Sequence, residues 1–342
     1  MKPAQWEQFR KIAKQGSPGD KLLALIVDSP WMPGYLEISH LDYFLDPGLW
    51  LRSNLRIMEE LPEITFIPSW WVEYGMAIEP SAFGGKMSFY SDHTPDVTPC
   101  LANIADIGRL SPADPRRDGL MPLALRLYET QKRHIFDAGY TIPFVTARGP
   151  LCLASFLRGI TGFMTDIIEA PEAVHKLLDI ATESVVRWLQ AQCEAIGSSV
   201  GGVFVLDDVP GMLSRRTYLE FAQPYLKRVF DAFPAGWVKV YHNDANVKPF
   251  VADLPDLGID VLNWTHKFPV QDLITATRGR ICPMGNVAPL DLGVNGTPAQ
   301  VEAAAREVIR NAATGPLILS VGGGVSPGMP RDNIQALIAA ML

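Results

Sequence analysis

Eight short apolar runs, each of strand length and each separated from the next by a longer stretch, constrain the fold of this chain more than any other feature. They are Leu22–Val27, Ile64–Ile67, Ile142–Thr146, Val203–Leu206, Trp237–Tyr241, Ile259–Leu262, Arg280–Met284 and Leu317–Val321. A strand with one wet face alternates apolar and polar residues. These runs are rich in Val, Ile and Leu and apolar on both faces, the pattern of parallel strands covered on both sides. Parallel neighbours need crossovers, and Ala173–Glu194, Ser214–Phe233 and Pro298–Ala313 between them are amphipathic at helical spacing. Thr297-Pro298 reads as an N-cap followed by Pro at the first helical position. Eight strands alternating with helices predict an α/β fold, a (β/α)8 TIM barrel, in preference to a doubly wound sheet. With 48% hydrophobic and 20% charged residues among 342, the chain has the apolar material for such a core.

The stretch Trp70–Leu110 breaks the rhythm with Gly75, Pro80, Gly84, Gly85, Pro95 and Pro99, and predicts an extended loop excursion after the second strand. No linker or repeat interrupts the rest, so residues 1–342 are expected to form a single domain. A net charge of −7 argues against a nucleic-acid binder, which needs a concentrated basic face. No apolar run reaches about 18 residues, and the first residues lack the apolar core of a signal peptide. Cys100, Cys152, Cys193 and Cys282 show no CxxC spacing, which disfavours a disulfide framework or a cysteine-rich zinc site. The expectation is a cytoplasmic protein with no membrane association.

In a barrel the chemistry sits where strands end. The second run leads to Trp70, Trp71, Glu73 and Tyr74, the third to Arg148 and Gly149, and the fourth to Asp207-Asp208. The fifth ends in Tyr241-His242-Asn243-Asp244, the sixth reaches Asn263 and Trp264, the seventh Gly285-Asn286, and the eighth Gly322-Gly323-Gly324. Such a set predicts a polar pocket. His242 and Asp244, with Asp207 or Asp208 from the adjacent strand, are candidate catalytic residues. Nitrogen and oxygen donors of this kind suit zinc with a position left open for substrate, and His242, Asp244 and Asp207 are the candidate ligands. The same groups could act without metal as a general acid. Trp70, Trp71, Glu73, Tyr74, Glu79, Arg148, Trp264 and Asn286 are candidate substrate-binding residues, the aromatic ones as walls of the pocket.

Several segments, in order, carry a family resemblance: Arg148–Phe156 (RGPLCLASF), Asp207-Asp208, Pro224–Lys227 (PYLK), Tyr241–Asn246 (YHNDAN), Gly285–Pro289 (GNVAP) and Gly322–Pro330 (GGGVSPGMP). With these the chain resembles the uroporphyrinogen decarboxylase superfamily over nearly its full length, which implies a (β/α)8 barrel. True decarboxylases of that superfamily clamp tetrapyrrole propionates with arginines in an RQAGRY-like motif. The corresponding Asp28–Tyr35 (DSPWMPGY) has no arginine, and the histidine common in their last Gly-rich loop is absent from Gly322–Gly324. The second branch comprises corrinoid-dependent methyltransferases, and Trp71–Met76 with Glu79–Gly84 (EPSAFG) is similar to a stretch found there. Its thiol-activating members bind zinc through His-x-Cys and a later Cys. Here His242 matches the His, Asp244 stands for the first Cys, and a glycine stands for the second.

The resemblance implies a zinc-assisted methyltransferase moving a methyl group between a small methylated substrate, methoxy-aromatic or methylamine-like, and a separate corrinoid protein, with the aromatic walls suited to a methoxy-aromatic or a quaternary ammonium and the chain a monomer or homodimer. No DxHxxG corrinoid-carrying signature is present in the chain itself. Two alternatives stand beside this reading: a decarboxylase or lyase of a small or tetrapyrrole acid, with Arg148 on the carboxylate, and a non-catalytic barrel that docks a corrinoid protein or a ligand.

Overall fold

A computed structural model describes all of residues 1–342. Its strands are β1 (Lys21–Ile26), β2 (Thr65–Ile67), β3 (Lys86–Ser88), β4 (Asp96–Thr98), β5 (Phe144–Arg148), β6 (Gly202–Leu206), β7 (Val238–Asn243), β8 (Val261–Trp264), β9 (Cys282–Val287) and β10 (Leu317–Val321). Eight of them form one parallel sheet in the order β2-β1-β10-β9-β8-β7-β6-β5, curled into a TIM-barrel-like fold with helices outside. The pair β3–β4 is a separate antiparallel hairpin within the expected excursion. No single helix is long and apolar enough to cross a membrane.

All eight apolar runs are strands, but several are displaced along the chain. The run expected to stop at Tyr241 continues to Asn243, so His242 lies inside β7 rather than after it. Alternate residues take opposite sides of a strand. Leu22, Ala24, Ile26, Phe204, Leu206, Val238, Val240, Val261 and Ile318 fill the barrel interior, with Phe9 and Ile12 of the helix Pro3–Gln15 in the same cluster. Their neighbours Val203, Val205, Tyr241, Leu262 and Leu319 belong to the larger core shared with the helices. The expected helix over Ser214–Phe233 is two, Arg215–Phe221 and Gln223–Asp231, because Pro224 has no N–H to donate to the Glu220 carbonyl and its ring crowds that turn, so it sits in the first turn of a new helix. The helix Pro298–Asn311 opens with the expected Thr297 cap, closed by Gln300 into a capping box.

The barrel has one seam without a ladder, between β2 and β5. Buried backbone groups there need other partners. The amide of Gln192 supplies them for Thr146, accepting from its N–H at 3.1 Å and donating to its carbonyl at 2.9 Å. The Glu79 carboxylate accepts from the Arg148 N–H at 2.9 Å. Two side chains thus stand in for the missing strand. Gln192→Leu leaves a buried donor and acceptor unpaired and should cost about 2–4 kcal/mol in urea unfolding; a cost under about 0.5 kcal/mol would contradict this account of the seam.

Candidate functional site

The pleat sets which strand-end residues reach the mouth of the barrel. Asp208 continues the inward row of Phe204 and Leu206, His242 and Asp244 continue that of Val238 and Val240, and Asn263 follows Val261. Asp208, His242 and Asp244 accordingly meet, with one ligand-type atom from each lying within 4.8 Å of the others. His242 Nε2 is 3.5 Å from Asp208 Oδ1 and 4.0 Å from Asp244 Oδ2. The Asp244 N–H donates to Asp208 at 3.0 Å, tying the two loops together.

Asn263 determines what His242 presents to the mouth. Its Nδ2 donates to the carbonyls of Met284 at 2.8 Å and Val321 at 3.0 Å, so its Oδ1 is the atom facing His242 Nδ1 at 2.7 Å. An acceptor there fixes the proton of a neutral imidazole on Nδ1 and leaves the Nε2 lone pair toward the two carboxylates. Burial, then the Asp208 carboxylate, push the Asp244 carboxyl above its ordinary range, with His242 opposing. A divalent cation at the centre would relieve that crowding. Donors on a tetrahedron with ~2.1 Å bonds lie about 3.4 Å apart, close to the spacings here. The three residues could therefore hold an ion such as zinc and leave a position open. The Gly-rich loop after β10 closes over them: a Cβ on Gly323 would lie 2.9 Å from Asp244 Oδ2, and one on Gly322 would lie 2.6 Å from the His266 N–H nitrogen. The φ of +139° at Gly323 also demands glycine.

Asp207, expected as a ligand and catalytic acid, points the other way. It is fully buried, and its two oxygens accept from the N–H groups of Leu151 and Cys152, each at 2.9 Å, at the start of the helix Pro150–Arg158. It serves as a helix anchor. Burial pushes its carboxyl well up, against those N–H donors. A Cβ on Gly149 would lie 2.3 Å from Asp207 Oδ2, so glycine is needed at that step.

A second group lies within electrostatic reach of Asp244. Buried Arg148 has its guanidinium 3.6 Å from Glu73 Oε2 and 5.0 Å from the centre of the Trp71 ring. Glu73 also accepts from the Ser29 N–H. Burial raises the Glu73, Glu79 and Asp28 carboxyls above their usual range; Arg148 opposes this at all three. Arg148 Nε and one terminal nitrogen, and Glu73 Oε2, have no hydrogen-bond partner. The loop delivering Trp71 and Glu73 is strained, with positive φ at Ser69, Trp70, Tyr74 and Met76.

The other expected substrate contacts fall elsewhere. Trp70 is core, 5.9 Å from Trp50 and 5.7 Å from Tyr140 between ring centres. Trp264 is fully buried with its N–H on the Phe268 carbonyl at 2.7 Å. Asn286 Nδ2 donates to the carbonyls of Thr265 at 3.2 Å and Phe268 at 2.9 Å, bracing the loop after β8. Tyr74 lines an apolar cavity of about 610 Å³ with Leu41, Phe44, Phe89 and Leu123, none of which belongs to the acidic mouth. Trp70 and Trp264 share one cause: both side chains belong to the large apolar core outside the barrel interior, whereas Tyr74 faces a separate cavity.

Residues 53–341 match the model of the uroporphyrinogen decarboxylase (URO-D) family. The chain belongs to that family. Among curated URO-D relatives, "Uroporphyrinogen decarboxylase" of Synechococcus sp. (strain CC9605) is 27% identical over 72% of this chain and 70% of its own length. "Methylcobamide:CoM methyltransferase MtaA" of Methanosarcina barkeri (strain Fusaro) is 27% identical over 84% of this chain and 85% of its own. Among solved structures, a "methyltransferase from Methanosarcina mazei" superposes with a TM-score of 0.82, 21% identity and coverage of 98% and 97% of the two chains. A B12-independent methionine synthase from Shewanella sp. W3-18-1 shares the fold with a TM-score of 0.61 at 11% identity, covering 95% and 96%.

Two neighbouring acids now have separable tests in this URO-D family member. Asp208→Asn should lower zinc affinity at least about tenfold by calorimetric titration, whereas Asp207→Asn should leave it within about threefold and cost about 1–2 kcal/mol of stability. Asn263→Leu should weaken zinc binding about 10–100-fold. Equal affinities for the Asp207 and Asp208 variants would contradict this assignment.

Proposed function

We propose that this chain is a corrinoid-dependent methyltransferase, transferring a methyl group between a small methylated substrate, methoxy-aromatic or methylamine-like, and a corrinoid carried by a separate protein. The observation that carries the reading is the Asp208–His242–Asp244 cluster with the His242 lone pair aimed into the mouth. Relatives with both activities leave decarboxylation as the second reading, and the charge of the mouth disfavours it. Asp28, Glu73 and Asp244 lie within electrostatic reach of a single arginine, Arg148, that is already beside Glu73. A tetrapyrrole carrying carboxylates on every side would meet those acids at the Arg148 wall, whereas a small methyl donor with at most one anionic group would not.

A methyl group leaves an oxygen or nitrogen readily only if charge developing on that atom is neutralised. A zinc ion held by Asp208, His242 and Asp244 would supply Lewis-acid stabilisation of that atom, and the partner's corrinoid the other party to the methyl exchange. The chain's own contribution is to hold these three donors in register and to keep the His242 proton on Nδ1. Arg148 and Glu73 order the wall beside them, under Trp71.

Incubation with cob(I)alamin and candidate methyl donors should form methylcobalamin, read by its absorbance. His242→Ala should lower that rate about 100-fold or more while leaving the unfolding transition in place. Carbon dioxide release from a carboxylic acid without methylcobalamin formation would favour the decarboxylase reading.

A further inference from the structure

A cavity of about 260 Å³ adjoins the cluster, with Asp244 as one of its walls and Lys248, Thr265, Lys267 and Phe268 around the rest. Its two walls come from different loops, and both are braced. In the loop after β7, Asn243 Oδ1 accepts from the Ala245 N–H at 3.1 Å and Asn246 Oδ1 from the Lys248 N–H at 3.3 Å. In the loop after β8, the Phe268 carbonyl accepts from Trp264 and Asn286 at 2.7 and 2.9 Å. Each wall contributes one lysine. Lys14 and Lys227 are paired with carboxylates elsewhere on the molecule, but neither Lys248 nor Lys267 has a carboxylate within ion-pair distance. Two ammonium groups without carboxylate partners thus share one recess with an aspartate of the cluster.

We propose that this recess is an anion subsite, which takes a carboxylate, sulfonate or phosphate group of the bound molecule while its methyl-bearing end lies at Asp208, His242 and Asp244. The proposal rests on the methyl-transfer reading for what lies at the cluster, but not for the subsite itself. The deeper wall of the mouth is the poorer place for an anion, because Arg148 lies 3.6 Å from Glu73 and is flanked by Asp28 and Glu79. An anionic tail is therefore driven toward the lysine side. Phe268 gives the middle of the molecule an apolar surface, and the Thr265 wall adds a buried polar residue. The ligand class that fits is a small molecule polarised end to end. The anion could belong to the methyl donor itself or to the phosphodiester of the incoming corrinoid.

The test is a binding measurement that needs no turnover. Methoxyacetate, 2-methoxyethanesulfonate and 4-methoxybenzoate are titrated beside their neutral amides by saturation-transfer NMR, and cobalamin beside cobinamide, which lacks the nucleotide loop with its phosphodiester, and the lysine variants then separate the charge from the rest of the loop. At least one anionic member should bind about tenfold tighter than its neutral counterpart. Lys248→Gln and Lys267→Gln should each erode that preference about three- to tenfold, and the double variant should abolish it while the neutral ligand binds as before. Loss of preference among the methoxy acids assigns the subsite to the small substrate; loss confined to cobalamin assigns it to the corrinoid. No preference in any pair, or a preference intact in the double variant, overturns the proposal. Retained preference without methylcobalamin formation would instead leave the subsite standing and remove the methyl-transfer reading.

Discussion

The strand pleat is the constraint from which the rest of this site follows. A residue on a strand faces either the barrel axis or the surrounding helices, and no side-chain rotation reverses that choice. Once Phe204 and Leu206 fill the interior, Asp208 must follow them toward the mouth and Asp207 must turn into the helical layer. The same rule aligns Val240, His242 and Asp244, and carries Asn263 to the ring that it orients. Two adjacent aspartates thereby acquire unrelated jobs: one holds the Pro150–Arg158 helix in place, the other gives the mouth a carboxylate.

Electrostatics then decide what the mouth can accept. Removing several carboxylates from water is costly unless protons, cations or N–H donors compensate. Glu79 is compensated by the Arg148 backbone, Glu73 by Ser29 and the Arg148 side chain, and Asp207 by a helix start. Asp208 and Asp244 have no arginine or lysine within ion-pair distance, and their side chains stay 39% and 45% exposed. They are the acids left able to bind something from outside. The strained Ser69–Met76 loop fits the same picture, since backbone in the left-handed region persists only where surrounding packing enforces it.

Much of this was legible in the chain. The apolar runs identify all eight barrel strands, and polar residues gathered at their ends include the three that meet, Asp208, His242 and Asp244. Alternation along Phe204-Val205-Leu206-Asp207-Asp208 would also have separated the two aspartates, had the inward row been followed past the strand end. Other features leave no local trace. Gln192 and Glu79 look like ordinary polar residues, and only the missing ladder between β2 and β5 gives them their roles. Trp70 and Trp264 follow strands as a pocket wall would, yet an aromatic ring stabilises apolar packing just as well. Lys248 and Lys267 are 19 positions apart and become neighbours of one recess only through the β7–β8 pairing.

The central claim is that Asp208, His242 and Asp244 form one cation-binding mouth. Anomalous diffraction at the zinc edge from crystals soaked in a zinc salt tests it most directly. The account predicts a peak about 2.0–2.2 Å from His242 Nε2 and from a carboxylate oxygen of each of Asp208 and Asp244. A map with no peak at the mouth, or with zinc held by Asp207 in its place, would contradict it.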